Sequence, residues 1–100
     1  MTEENRKVLI DRMTDNLPVL RKKLKLSQEA LGDRIGASRY TVMLLETKKR
    51  RMTWGTFLSL LLIFEKNEET EVLLRALRIY TDELDEMIKP QQKPISDICS

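Results

Sequence analysis

Along residues 27–51, SQEALGDRIGASRYTVMLLETKKRR, apolar side chains recur at intervals of three and four, the spacing that lines one face of a helix. Ala30, Leu31 and Ile35 mark the inner side of one short helix. Ser27 is its N-cap, because a serine hydroxyl can accept from a free backbone N–H of the first turn. Gly36 follows at once, and glycine most readily takes the left-handed geometry that closes a helix. Ser38 caps a second helix with Val42 and Leu45 on its inner face. The stretch therefore predicts a helix, a tight turn, a second helix and then the basic run Lys48–Arg51. This is the helix-turn-helix layout, whose second helix can enter a DNA major groove.

The flanking pattern is also helical. Thr2–Met13 predicts a short lead-in, with Thr2 as cap, Glu3 and Glu4 after it, and apolar Val8, Leu9 and Met13. A separate helix is expected to start at the cap Asn16, with Pro18 in a first turn where its missing N–H loses no bond. That helix ends near Lys25; Leu17, Leu20 and Leu24 share its inner face, and Leu26 plugs the core behind it. Downstream, Thr53 caps a helix from Trp54 to about Glu65. Apolar residues nearly encircle it, which predicts burial on most sides, as the central core helix or partly at a subunit interface.

Asn67 opens a last helix, about 67–88, with Glu68, Glu69 and Glu71 where the helix dipole favours negative charge. Its apolar stripe is Val72, Leu73, Leu77, Tyr80, Leu84 and Met87/Ile88, and Pro90 ends it. Residues 90–100 read as a flexible tail in which Ile95 and Ile98 could dock. No stretch shows the strict alternation of a half-buried strand. The chain reads as all-α: five helices and a short N-terminal helical extension in one domain, residues 1–89, followed by the tail.

Charge adds a direction to this picture. The net formal charge of the 100 residues is only +2. Residues 16–52, however, hold ten Lys/Arg against three acids, a local balance of +7, and residues 65–89 hold four against eight, a balance of −4. A basic first half beside an acidic second half predicts a polyanion-binding face on one side.

Candidate chemistry is mostly excluded. The chain has no histidine and a single cysteine, Cys99, which rules out an internal disulfide and argues against a zinc site. No phosphate-cradling glycine loop and no paired nucleophile and base are present, so neither an enzyme nor a cofactor is expected. The longest apolar run, Phe57–Phe64, is broken by Ser59 and falls short of the roughly 18 residues of a membrane helix. TEEN directly after Met1 does not read as a signal peptide, and a cytoplasmic location is expected.

Residues 17–64 resemble the Cro/CI-type (XRE-family) helix-turn-helix domains of phage repressors and bacterial regulators. The resemblance rests on LRKKLKLSQEALGDRIGASRYTVMLLE, the basic link and TFLSLLLIF, about half the chain, and is nearest to small stand-alone bacterial members. It implies a lambda-repressor-like fold and specific roles. Arg21 and Glu46 match a structural ion pair. Gln28 matches a residue that contacts a DNA phosphate and braces the recognition helix. Ser38, Arg39, Tyr40, Thr41, Met43 and Leu44 match the outward face of that helix. Arg39 is the candidate base reader, because a guanidinium can bond guanine O6 and N7 together. Lys48, Lys49, Arg50 and Arg51 would lie along the DNA backbone, adding affinity that falls with salt.

Three positions depart from the family pattern. Lys48 stands where glycine usually ends the recognition helix, so either the helix runs on or Lys48 turns left-handed. Gly32 replaces an alanine; it permits close packing and weakens its helix by about 1 kcal/mol. Met43 and Leu44 are apolar where polar base readers are common.

The expected function is a sequence-specific, double-stranded DNA-binding transcriptional regulator. It would act as a homodimer, joined through surplus apolar residues such as Phe57, Leu61, Leu73, Leu77 and Tyr80. The alternatives are an antitoxin-like regulator, or a protein-interaction module that uses the acidic C-terminal helix and the Met43/Leu44 face.

Overall fold

The computed structural model describes residues 1–90. These form six α-helices and no strand: α1 (Glu3–Lys23), α2 (Gln28–Ile35), α3 (Arg39–Glu46), α4 (Trp54–Glu65), α5 (Glu68–Ala76) and α6 (Asp82–Ile88). The tail expected after Lys89, with Ile95, Ile98 and Cys99, lies outside the described residues apart from Pro90.

The N-terminal extension and the helix expected from Asn16 are one continuous helix. The Thr2 hydroxyl caps it by accepting from Asn5 N–H at 3.1 Å. Asn16 is no cap; its side-chain amide donates to the Arg12 carbonyl, 2.8 Å away and one turn back. Pro18 lies inside the helix, where proline removes one hydrogen bond and costs about 3 kcal/mol. Continuity is worth more than that. Leu9, Ile10, Met13, Leu17 and Leu20 form a single buried stripe, and each such side chain stabilises by about 1.5–3 kcal/mol.

α4 is the hub, packed against α1, α2 and α5. Phe57, Leu60, Leu61 and Phe64 are buried, and Trp54 stacks on Phe57 with ring centroids 4.7 Å apart. Phe57 and Leu61 were expected to help form a dimer surface. At 0% and 4% exposed they belong to the monomer core, whereas Leu62, on the opposite side, is 63% exposed.

The expected last helix is two. α5 ends at Ala76 with Leu77 as its C-cap, and Arg78 takes a left-handed φ of 58°. Ile79 N–H then bonds back to the Leu74 carbonyl at 2.8 Å, and Arg78 N–H to the Arg75 carbonyl at 3.1 Å, the Schellman closure of a helix end. Thr81 restarts the chain as N-cap of α6, accepting from Leu84 N–H at 3.2 Å. The break changes which residues face inward: Leu74, Ile79 and Leu84 are fully buried, while Val72 and Ile88, expected in the stripe, are exposed.

Side chains hold the corner. The Tyr80 hydroxyl donates to Asp85 at 2.6 Å, and this bond is the main reason its pKa is pushed up to about 12. The Arg75 guanidinium lies 4.6 Å from the Tyr80 ring centre. α1 braces the far side, with Asn5 donating to Glu83 at 3.0 Å and Arg12 to the Arg78 carbonyl at 2.9 Å.

Lys25, Lys48 and Arg78 occupy the left-handed position after α1, α3 and α5, with φ of 57°, 63° and 58°. A Cβ is disfavoured there and glycine is not, although glycine also gains entropy in the unfolded chain. Arg78→Gly is therefore expected to raise stability by about 0.5–1 kcal/mol. Arg78→Ala, which keeps the Cβ, is expected to give no gain. Thermal unfolding of the three proteins checks this.

Candidate nucleic-acid interface

α2 and α3 are joined by a turn that local residues specify. Ser27 accepts from Ala30 N–H at 3.0 Å, and Ser38 from Thr41 N–H at 3.1 Å. Gly36 closes α2 with φ 70°, and Ala37 N–H returns to the Gly32 carbonyl at 2.8 Å. Gly32 is where the turn touches α2: a Cβ there would stand 2.5 Å from the Ala37 carbonyl oxygen. Its cost to helix propensity is thus tied to a close backbone approach that any side chain would push apart. Leu31, Val42 and Leu45 seal the inner faces of the two helices against the core.

α3 is anchored by charge as well. The Arg21 Nε donates to Glu46 Oε2 at 2.6 Å and its Nη2 to Glu46 Oε1 at 3.1 Å, a two-point fork. Both side chains are nearly buried, 12% and 7% exposed. The third corner of the guanidinium donates to the Leu26 carbonyl at 2.9 Å. Gln28 completes the group by donating its amide to Glu46 Oε1 at 3.1 Å. Arg21 of α1 and Gln28 of α2 therefore meet at the Glu46 carboxylate of α3, and Arg21 also ties in the α1–α2 link, which fixes the angle of α3 on the domain. In this arrangement the Gln28 amide is directed to Glu46.

The outer side of α3 is led by Arg39 and Tyr40. Both are exposed, Tyr40 by 63%, and neither forms a side-chain bond to another described residue. Ser38 is exposed at the cap. Thr41 is half-buried, and its hydroxyl accepts from Ser38 Oγ at 3.1 Å and from Arg50 Nη1 at 3.2 Å. Met43 and Leu44 are half-buried rather than fully outward. Gln28, Ser38, Arg39, Tyr40 and Met43 line one shallow, apolar-walled concavity; Leu44 is not part of it.

The side chains of the basic run take different placements. Of the two backbone outcomes open at Lys48, the left-handed turn is the one taken, and Lys49 and Arg50 N–H both bond to the Leu44 carbonyl, at 2.9 and 3.2 Å. Lys48 turns its ammonium to Asp15 of α1, with Nζ 2.6 Å from Oδ1. That hydrogen bond, together with the attraction of Asp15 and then Asp11, holds the ammonium pKa above its ordinary value. Arg50 folds toward α3 through Thr41. Lys49 and Arg51 are exposed and form no ion pair with a described residue.

Asp15 is the participant that sequence reasoning passed over. The signal was Asp11 and Asp15, four apart, but it has meaning only once α1 is read as one helix through Asn16. No cluster of His, Cys, Asp or Glu among the described residues could hold a metal ion. Comparison of the chain with protein-family models, with curated proteins and with solved structures gives no match.

Proposed function

We propose that this protein is a sequence-specific, double-stranded DNA-binding transcriptional regulator that inserts α3 into the major groove. The observation that carries the reading is an exposed α3 face led by Arg39 and Tyr40, set by the Arg21–Glu46–Gln28 group and followed in the chain by exposed Lys49, Arg50 and Arg51. A reading helix needs a fixed angle, a side chain able to form paired bonds to a base edge, and cations beside it for phosphate. Arg39 supplies the paired donors. Tyr40 and Thr41 can meet phosphate or a thymine methyl, and half-buried Met43 adds apolar surface for a methyl group.

One such helix makes few base contacts, so the working form is a homodimer reading two half-sites about 34 Å apart. With Phe57 and Leu61 in the core, a dimer contact falls to residues still at the surface. No helix among the described residues is long and apolar enough to cross a membrane. Action in the cytoplasm, without a cofactor or a catalytic step, fits the reading.

Selection from random duplexes, followed by titration of the selected sequence at several salt concentrations, tests the proposal. The expected result is a two-fold symmetric site and a steep loss of affinity with salt. Equal binding to all sequences, or none at 50 mM salt, would sink it. Light scattering at binding concentrations reads the dimer separately.

The apolar-walled concavity beside Tyr40 supports a second reading, a protein-interaction module or an antitoxin-like regulator. In that case Tyr40 and Met43 would bury against a partner protein, with the acidic α5 and α6 as a second contact.

A further inference from the structure

Resting on the DNA-binding reading, we propose that Asp15, with Asp11 one turn before it, is a built-in counter-charge that keeps Lys48 out of the phosphate-contacting set. Asp11 and Asp15 are both exposed on α1. They line the same concavity as Lys48, Arg50 and Arg51, so α1 carries two carboxylates to the edge of the basic run. Lys48 is the residue taken. Its ammonium is 2.6 Å from Asp15 Oδ1, and its left-handed backbone, closed by its N–H on the Leu45 carbonyl at 3.2 Å, fixes where the side chain leaves the chain.

Both partners of the bridge are more than half exposed, so the bond itself is weak and a phosphate could displace it. The charge of Asp15 stays when the bond breaks. A phosphate meeting the Lys48 ammonium where it now stands would lie well within a Debye length of that carboxylate, about 10 Å at 0.1 M salt. Lys48 therefore releases fewer counterions than a free lysine would. The phosphate-contacting set is then Lys49, Arg50 and Arg51, and affinity is held down equally for every sequence, because phosphate contacts carry no sequence information.

Asp15→Asn removes the charge at an exposed position with little change of shape. Binding of the selected duplex and of a random duplex is measured from 50 to 200 mM salt. For Asp15→Asn both duplexes are expected to bind on the order of threefold tighter at 50 mM, and the slope of log affinity against log salt to steepen by about 0.9, one phosphate contact. Lys48→Gln is expected to leave the slope of the wild-type protein nearly unchanged and to cancel the gain in the Asp15→Asn background. An unchanged slope in Asp15→Asn overturns the inference, as does tightening on one duplex only. So does Lys48→Gln flattening the wild-type slope by a full contact, a measurement that stands even where Asp15→Asn fails to fold. Wild-type binding with an unaltered variant slope leaves the DNA reading intact, whereas no binding by either protein overturns both.

Discussion

Glu46→Ala is expected to lower the stability of the domain by about 3 kcal/mol, seen as a fall of roughly 12–24 °C in the unfolding midpoint. The reason is what the substitution leaves behind. Arg21 keeps its charge on a side chain that is 12% exposed and loses both bonds of its fork, and the Gln28 amide loses its acceptor. A nearly buried cation without its partner is far more costly than the pair was valuable. The control is the joint replacement Arg21→Met with Glu46→Leu, which removes both charges and fills similar volume. It is expected to recover most of the loss, because an apolar pair of that size is commonly as stable as the ion pair. Urea unfolding of the single and double variants checks the claim, and equal losses in both would refute it. The double variant should still bind DNA more weakly than wild type, since Gln28 no longer ties α2 to α3.

Arg39→Glu is expected to weaken binding of the selected duplex by about a hundredfold or more, with stability unchanged within about 0.5 kcal/mol. A paired contact to guanine contributes about 1–3 kcal/mol, and a carboxylate in the groove adds repulsion from the flanking phosphates. Folding is not at risk. Arg39 opens α3, where the helix dipole favours a negative charge, and it bonds to no other described side chain. Arg39→Gln separates reading from charge: it is expected to change the preferred base at one position of each half-site while retaining moderate affinity. Repeating the selection with both variants measures this. If the site selected by Arg39→Gln is identical to the wild-type site, Arg39 is not a base reader. In the protein-interaction reading, Arg39→Glu leaves capture of the partner intact while Tyr40→Ala and Met43→Ala weaken it.

Much of the local geometry of α2, α3 and α4 was legible in the chain. Ser27, Ser38 and Thr53 cap the helices they were expected to cap, and Gly36 closes α2 in the left-handed region. Those signals act over four residues or fewer, so neighbouring residues alone decide them. Arg21 and Glu46, which the resemblance implied as a pair, lie 2.6 Å apart. The resemblance also implied that Gln28 braces α3, but not that its amide would do so through Glu46. The Gln28 amide reaches Glu46 because α2 packs against α3, which brings residues 18 apart in the chain within 3.1 Å.

The regions misread in the sequence are those where a local signal met a long-range one. Asn16 and Pro18 form a sound helix start taken alone. They are overruled because Leu9, Ile10 and Met13 extend the same buried stripe as Leu17 and Leu20, and their burial exceeds the proline penalty. The stripe through Val72, Leu73, Leu77, Tyr80 and Leu84 reads as one helix, yet Ile79 and Leu74 fill the core only if the chain turns at Arg78. The Thr81-Asp82-Glu83 sequence, a cap followed by acids, was the local sign of that turn.

The sequence by itself therefore determined the helical class, the capped pair α2 and α3, and the contrast between a basic and an acidic half. Each follows from residue spacing and composition, which need no knowledge of the fold. Only the tertiary structure decided that α1 is continuous, that α5 and α6 part at Arg78, and that the Lys48 ammonium lies against Asp15. The physical reason is common to all three. The outcome depends on which distant side chains share a core or approach within a few ångströms, and that is set by how helices pack.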